Sequence, residues 1–97
     1  MKFLLIFHKT ALYLAVEKEN IKIIKLLLSN NKIDVNIINK SNKDEKSALH
    51  LAVQKESVEI TKSLLSFKNI DINIKDNQGK KPIDYAKNDE IIQLLSH

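Results

Sequence analysis

The stretch SALHLAV, residues 47–53, decides the fold because it occurs again upstream as TALYLAV, residues 10–16. A diverged copy, KPIDYAK, follows at residues 81–87. Residues 10–37 align without a gap to residues 47–74, with 16 identities in 28 positions, which is too many for shared composition to explain. Such self-similarity is typical of units that each leave a hydrophobic face open and bury it against a neighbour. We therefore predict a repeat protein that functions by recognition through a stacked surface.

Each copy has the pattern of two helices followed by an extended segment. In the second copy, Leu49, Ala52 and Val53 recur at helical spacing, and a second apolar stripe follows a short break. The positions predicted to cap the helices carry a side-chain oxygen that can accept first-turn N–H groups; they are Thr10, Asn20, Ser47 and Ser57. The segments at residues 32–37 and 69–74 alternate apolar and polar residues, so we expect them to be strand-like or turn-like.

Composition and charge limit the class of function. The 97 residues, 43% hydrophobic and 29% charged, are typical of one globular unit rather than a disordered chain or a membrane span. Because there is no cysteine, we expect a cytoplasmic protein, with a nuclear or host-directed destination left open. All sixteen basic residues are lysine, and the formal net charge is +4. Bidentate contacts with nucleic acid favour arginine, so the lysines are interpreted mainly as solvated surface.

The first nine residues, MKFLLIFHK, differ from the repeats. Their apolar run, residues 3–7, is shorter than the roughly 7 to 15 residues of a signal-peptide core, and no small-residue cleavage site follows it. We predict that residues 1–9 cover the open hydrophobic face of the first repeat, or that they are the remnant of a preceding repeat.

The combined pattern resembles the ankyrin repeats, whose unit is a β-hairpin-like loop and two antiparallel helices with a TPLHLA-like opening. SALHLAV and TALYLAV resemble that opening, and IIKLLLS (residues 23–29) resembles the second helix. IDVN and IDIN resemble the exit from that helix, and DNQGKKPIDYA (residues 76–86) resembles a hairpin tip leading into the next unit. The resemblance covers the chain from residue 9 onward.

The resemblance implies an all-α ankyrin-repeat solenoid of stacked helix-turn-helix units with short β-hairpin-like loops. The expected units are residues 10–46, a repeat with a lengthened hairpin loop; residues 47–80, a second repeat; and residues 81–97, a truncated capping repeat.

Comparison with the family pattern leads to three structural expectations. Glu19 and Glu56 stand where the family usually has glycine, so either the backbone is left-handed there, at very roughly 1 kcal/mol each, or the turn is adjusted. Pro82 keeps the family's proline at a first helical position, so a first helix is expected in the last copy as well. Residues 89–96 are expected to form its abbreviated second helix.

Ser47 and His50 lie three residues apart at a helix start, so they could be interpreted as a nucleophile and its base. The resemblance instead implies that this pair joins adjacent hairpins by hydrogen bonds. Tyr13 and Asp84 stand at the equivalent positions of the other copies, where they would not support catalysis. With no orienting acid and no oxyanion donors in evidence, we expect no enzymatic activity and no catalytic residues.

No cofactor or metal site is expected. His8, His50 and His97 lack the spacing of a metal triad, and a single glycine cannot form a phosphate-binding loop. Asp34 and Asp71 occupy the same position in successive repeats, so we expect each carboxylate to accept backbone N–H groups within its own turn.

The surface that stacking leaves free is expected to carry the function. In the ankyrin family this surface comprises the hairpin tips and the concave edge of the first helices, which makes the chain a protein-binding module or scaffold. The predicted partner-binding strip consists of Glu17, Lys18, Lys43, Asp44, Lys46, Gln54, Lys55, Asn77, Gln78, Lys80, Asn88 and Asp89.

The hairpin tips at residues 39–46 and 75–81 contribute three of the four net positive charges, so a protein partner with an acidic face is expected. One alternative is electrostatic binding of nucleic acid or another anionic surface through the lysines. A second is an end fragment of a longer array, or a homo-oligomer, with no independent binding role.

Overall fold

The computed structural model describes residues 11–30, 33–36 and 45–96, and helices dominate these ranges. Helix α1 covers residues 11–17, α2 Ile21–Leu28, α3 Ala48–Gln54 and α4 Val58–Leu65; a 3₁₀ helix at Pro82–Tyr85 and helix α5 at Asp89–Leu95 follow. Helix α2 packs against α4, and α4 packs against α5, so consecutive units stack in chain order. The predicted helical hairpins of the first two copies are confirmed, whereas the cap Thr10 and segment 1–9 lie outside the described residues.

Three of the predicted N-caps are confirmed. The side-chain oxygens of Asn20, Ser47 and Ser57 each accept a backbone N–H from three residues further on, which satisfies a donor that the helix cannot pair internally. The donor amides belong to Ile23 at 3.2 Å, His50 at 3.3 Å and Ile60 at 3.2 Å.

The turns between paired helices use a left-handed glutamate. Glu19 has φ +53° and Glu56 has φ +56°, so the first of the two alternatives for these positions holds. The backbone N–H of the residue after each glutamate donates to the carbonyl five residues earlier in the chain. The N–H of the glutamate itself donates to the carbonyl three residues earlier. This is the Schellman arrangement that usually employs glycine. The two repeats therefore end their first helices identically, each at a backbone cost of about 1–2 kcal/mol.

The core is a continuous apolar layer between the stacked units. It is built from the inward stripes of the helices together with Val35 from the turn after α2. Its buried members are Leu12, Ala15, Val16, Ile24, Val35, Ala48, Leu49, Ala52, Val53, Ile60, Leu64, Ile91 and Leu95.

The segment at residues 69–74 forms turns and not a strand. Asp71 Oδ1 accepts the backbone N–H of Asn73 at 2.9 Å, which bends the chain locally. In the first repeat Asp34 Oδ1 accepts the N–H of Asn36 at 3.0 Å. The strand-like option for these segments was therefore wrong where they are described, and the predicted role of the two aspartates is confirmed.

The third unit departs from the expectation of a complete first helix. Residues Pro82–Tyr85 form only one turn of 3₁₀ helix, and Ala86 is already extended at φ −74°, ψ 129°. The caps Ser47 and Ser57 are ten residues apart, whereas Lys81 and Asn88 are only seven apart. The third unit thus has three fewer residues between its two cap positions than the second unit, which leaves no room for a longer first helix. The abbreviated second helix, α5, is present as expected.

Candidate partner-binding surface and the polar junction beneath it

The hairpin tip at residues 75–81 is built around the buried carboxylate of Asp76. Its Oδ1 accepts the backbone N–H groups of Gln78 at 2.9 Å and Lys80 at 3.0 Å. The backbone closes the same loop, because the Asp76 N–H donates to the Lys80 carbonyl at 2.9 Å and the Gly79 N–H donates to the Asp76 carbonyl at 3.0 Å. Gly79 supplies the positive φ, +76°, that the turn requires. The side chain and backbone of Asp76 thus fix the conformation of the tip from Asp76 to Lys80.

The second oxygen of Asp76 faces inward to two other parts of the chain. The Tyr85 hydroxyl donates to Oδ2, and the Lys46 ammonium lies 3.7 Å from the same oxygen. Lys46 Nζ is also 5.0 Å from the centroid of the Tyr85 ring, within range of a cation–π contact. This set, Lys46, Asp76 and Tyr85, forms a polar junction between the end of the first hairpin, the second hairpin and the third unit.

Lys46 corrects a sequence-based expectation. The sequence predicts Lys46 on the partner-binding strip with the other tip lysines, but only 5% of this residue is exposed. The Asp76 carboxylate compensates its charge, because a buried ammonium is tolerated only when it is paired. Lys46 therefore belongs to the interior of the junction and not to the exposed strip.

The junction shifts the pKa values of its acids. Burial alone would raise the pKa of Asp76, but hydrogen bonds from Tyr85, Lys80 and Gln78 favour the carboxylate and lower the pKa to about 2. Burial, reinforced by the neighbouring carboxylate, raises the pKa of Tyr85. The stabilising effect of ionised Asp76 is therefore complete above its ordinary pKa of 3.8 and is lost as the pH falls toward 2.

His50 joins the start of helix α3 to the hairpin tip at residues 75–81. Its Nε2–H donates to the Lys80 carbonyl at 2.8 Å, which places the proton on Nε2 because a carbonyl can only accept. Its Nδ1 accepts the Ser47 backbone N–H at 3.2 Å and lies 2.8 Å from the Ser47 hydroxyl oxygen. Burial lowers the pKa of His50, so the imidazole is neutral near pH 7. The predicted hydrogen-bonding role of this pair is confirmed.

The same geometry leaves Ser47 unsuited to nucleophilic attack. Only 1% of Ser47 is exposed, and its hydroxyl oxygen accepts the His50 backbone N–H as a helix cap. Within the described ranges, no group of three His, Cys, Asp or Glu side chains is arranged to hold a metal ion. No helix among those residues has the length and apolarity needed to cross a bilayer.

The other residues of the predicted strip fall into three groups. Those with exposed side chains are Glu17, Lys18, Gln54, Asn77, Gln78, Lys80 and Asp89. Lys55 and Asn88 are half-buried, and Asn88 caps helix α5 by accepting the N–H groups of Glu90 and Ile91. Lys43 and Asp44 lie outside the described residues. The structure brings Gln78 and Lys80 together on the Asp76 loop, whereas Glu17 and Lys18 lie at the end of α1 in the first unit.

Sequence reasoning missed three residues that join the units. Asp76 and Tyr85 were not recognised as partners, although the DNQG pattern at residues 76–79 is typical of a turn closed by its aspartate. Asn36 was also missed. Its amide donates to the Asn69 carbonyl at 2.8 Å, and its Oδ1 accepts the Asp71 N–H at 2.7 Å. Local patterns carry no signal for a bond between residues more than 30 positions apart.

These features define a solenoid of stacked helical hairpins with polar joints at the loops. A family model described as "Ankyrin repeats (3 copies)" matches residues 12–97, and the chain belongs to this family. A search of curated proteins finds no match. Ankyrin repeats are generally modules of protein–protein interaction.

The crystal structure of the Osh1 ANK domain from Kluyveromyces lactis is similar, with a TM-score of 0.78 and 24% sequence identity. The match covers 94% of this chain and 38% of that one, so this chain spans well under half of its structural neighbour. The similarity supports the all-α ankyrin fold.

Proposed function

We propose that this protein binds another protein through the hairpin tips and the adjoining face of the first helices, and that it performs no chemistry. The observation that carries the proposal is the construction of the tip at residues 75–81. The buried Asp76 fixes its backbone from inside, while Asn77, Gln78 and Lys80 are exposed. A loop already held in one conformation loses little entropy when it binds, so more of its contact energy contributes to affinity.

The charge of this tip favours a partner with an acidic surface. Residues 75–81 contain three lysines and one aspartate. The carboxylate of Asp76 is buried and faces Lys46, so it contributes little to the field outside. Lys75 and Lys80 are exposed and Lys81 is half-buried. Their charge would steer an acidic surface toward the tip and accelerate association at low salt.

The composition of the strip favours modest affinity. Its exposed members are charged or amide side chains, whereas binding hot spots are most often Trp, Tyr or Arg. Tyr85 is half-buried beneath Lys46 and Lys80, so most of its ring is already engaged within the protein. We therefore propose contacts of polar and electrostatic character, extended by the first-helix residues Gln54 and Lys55.

The test is affinity capture from lysate with three versions of the protein. The tip variant carries Lys75→Glu and Lys80→Glu. The matched control carries Lys22→Glu and Lys25→Glu, two exposed lysines on α2 that give the same change in net charge. Circular dichroism first establishes that all three are equally folded. Lys46 is left unchanged, because replacing it would disturb the buried junction.

We expect a protein that is captured by the wild type and the α2 control and is lost with the tip variant. Capture of the same proteins by all three, or of none, would contradict the proposal. Loss with both charge variants would show that net charge and not the tip controls binding.

Electrostatic binding of nucleic acid is the second candidate, because every exposed charge in residues 75–81 is positive. Titration of single- and double-stranded oligonucleotides at several salt concentrations separates the two functions. Binding that falls steeply with salt regardless of oligonucleotide sequence would favour this candidate over a protein partner.

A further inference from the structure

The turn after α2 is joined to the turn after α4 by a single side chain. The Asn36 amide donates to the Asn69 carbonyl at 2.8 Å, and its Oδ1 accepts the Asp71 backbone N–H at 2.7 Å. One side chain thus pairs with a C=O and an N–H that are two residues apart in the main chain. Beside it, Val35 is only 2% exposed. This joint therefore combines a two-point contact to main chain with a buried apolar residue.

The second repeat carries the same polar group in the same local conformation. A shift of 37 residues carries Asn36 to Asn73. Asp71 Oδ1 accepts the Asn73 N–H at 2.9 Å, just as Asp34 Oδ1 accepts the Asn36 N–H at 3.0 Å. The aspartate therefore positions the asparagine in the same way in both repeats.

The two repeats differ in what covers this position. Asn36 is half-buried, whereas Asn73 is exposed, and Ile72 at the place of Val35 is only half-buried. Helix α5 packs against α4 but leaves Asn73 exposed. Within residues 45–96, no group forms a hydrogen bond with the side-chain amide of Asn73. The second repeat thus presents both components of the joint without an occupant.

We infer that Asp71, Ile72 and Asn73 form an open joint that binds an extended main-chain segment of a partner protein. The Asn36 contact shows which groups such an amide recognises, namely a C=O and an N–H two residues apart. Any extended segment offers these groups along an edge, so the polar contact requires no particular sequence. An apolar side chain of the segment would pack on Ile72 and supply the selectivity.

The tip residues at 75–81 are not part of this open joint, so its occupant need not be the protein that the tip captures. Failure of the tip variants in the lysate experiment would leave the open joint untested by that result. Binding at the joint is therefore measured separately, with a defined probe.

The probe is a peptide that copies residues 67–73, FKNIDIN, with both ends blocked. It contains the main chain that Asn36 binds in the protein. With up to about 10 mM peptide, the side-chain amide resonances of ¹⁵N-labelled Asn73 should shift saturably. Asn73→Ala should weaken binding by about tenfold, because it removes both hydrogen bonds. Gln93→Ala, which removes an exposed amide from α5, is the matched control and should leave binding unchanged.

A modified peptide distinguishes recognition of main chain from recognition of side chains. Methylation of the peptide nitrogen copied from Asp71 removes the N–H that Asn73 Oδ1 should accept, while every side chain is kept. Binding should again weaken by about tenfold. Methylation of the nitrogen copied from Lys68, outside the three residues that the joint contacts, is the control and should have a smaller effect.

Thermal melting compares the occupied joint with the open one. Asn36→Ala breaks a contact between two turns and should lower the melting midpoint by on the order of 5 °C. Asn73→Ala should change it by less than about 1 °C, because the amide has no partner to lose among the described residues.

Three results would overturn the inference. A melting midpoint lowered equally by Asn73→Ala and Asn36→Ala would show that the Asn73 amide is already bonded within the protein. Peptide binding that is absent, or unchanged by both Asn73→Ala and methylation at the Asp71 position, would show that the amide binds no main chain. A melting midpoint that rises with protein concentration, and no longer does so in Asn73→Ala, would assign the segment to a second copy of this chain.

Discussion

The first and second units are identical at 16 of 28 aligned positions, yet they differ at the residue that joins the start of α3 to the second hairpin tip. His50 in the second unit connects Ser47 to the carbonyl of Lys80, the residue whose N–H donates to the buried Asp76 carboxylate. The first unit has Tyr13 at the same place, and a phenol has one oxygen where the imidazole of His50 uses two ring nitrogens. The shared residues specify the helical hairpin, and a few unshared ones specify what each hairpin can attach to.

The largest expected effect comes from breaking the second junction at its centre. Asp76→Asn keeps the shape but removes the negative charge of the carboxylate that lies 3.7 Å from the buried Lys46 ammonium and accepts the Tyr85 hydroxyl. The free energy of unfolding should fall by about 3–5 kcal/mol, a large part of the roughly 5–15 kcal/mol of a typical small domain. Urea denaturation of the wild type and the variant measures this difference in the free energy of unfolding. Asp71→Asn is the control, because Asp71 is an exposed turn aspartate and its substitution should cost less than about 1 kcal/mol. Equal costs for the two substitutions would contradict the structural role of Asp76.

The next effect distinguishes Ile23 from Ile60, which occupy equivalent positions in the first and second repeats. Ile60→Ala removes a side chain enclosed by both units and should cost about 2–5 kcal/mol, whereas Ile23→Ala should cost less because nearly half of Ile23 is exposed. Chemical denaturation of both variants gives the comparison. If Ile23→Ala costs as much as Ile60→Ala or more, the side chain of Ile23 is enclosed as completely as that of Ile60, which would contradict the comparison.

His50 should make stability depend on pH. Since burial lowers its pKa in the folded state, the unfolded chain binds the proton first as the pH falls below the ordinary value of 6.5. Stability should therefore decrease on acidification, with a slope of at most about 1.4 kcal/mol per pH unit from this residue.

Urea unfolding of the wild type and of His50→Gln between about pH 7.5 and about pH 5.5, roughly one unit on either side of the ordinary histidine pKa, provides the measurement. The slope should be shallower in the variant, and any contribution of His8 and His97 cancels in the comparison. Identical slopes would show that His50 does not carry the effect.

The smallest effect concerns a buried hydroxyl. Among the described residues, Thr61 Oγ1 is buried without a hydrogen-bond partner. The equivalent position of the first unit is Ile24, which is also fully buried. Thr61→Val should raise the free energy of unfolding by about 1 kcal/mol, because it removes an unsatisfied polar group from an apolar site. A decrease measured by denaturation would indicate that the hydroxyl has a partner such as a bound water.

Local patterns in the sequence were sufficient to predict the helical hairpins and the caps at Asn20, Ser47 and Ser57. Those features depend on residues within four positions of one another. The interior position of Lys46 was not predictable in this way, because lysine in a polar loop is usually solvated. Its burial depends on Asp76 and Tyr85, which lie 30 and 39 residues further along the chain. The candidate site was therefore predictable as a tip, but the support beneath it was not.

The central claim is that Asp76 holds the tip at residues 75–81 as a rigid surface, and amide hydrogen exchange tests it most directly. In the wild type, the Gln78 and Lys80 amides that donate to Asp76 should exchange far more slowly than unstructured peptide. The protection should be lost in Asp76→Ala molecules that retain protected amides in α3, because the alanine side chain has no oxygen to accept the two N–H groups. Exchange of the Gln78 and Lys80 amides at the unstructured rate in the wild type, while α3 stays protected, would contradict the account.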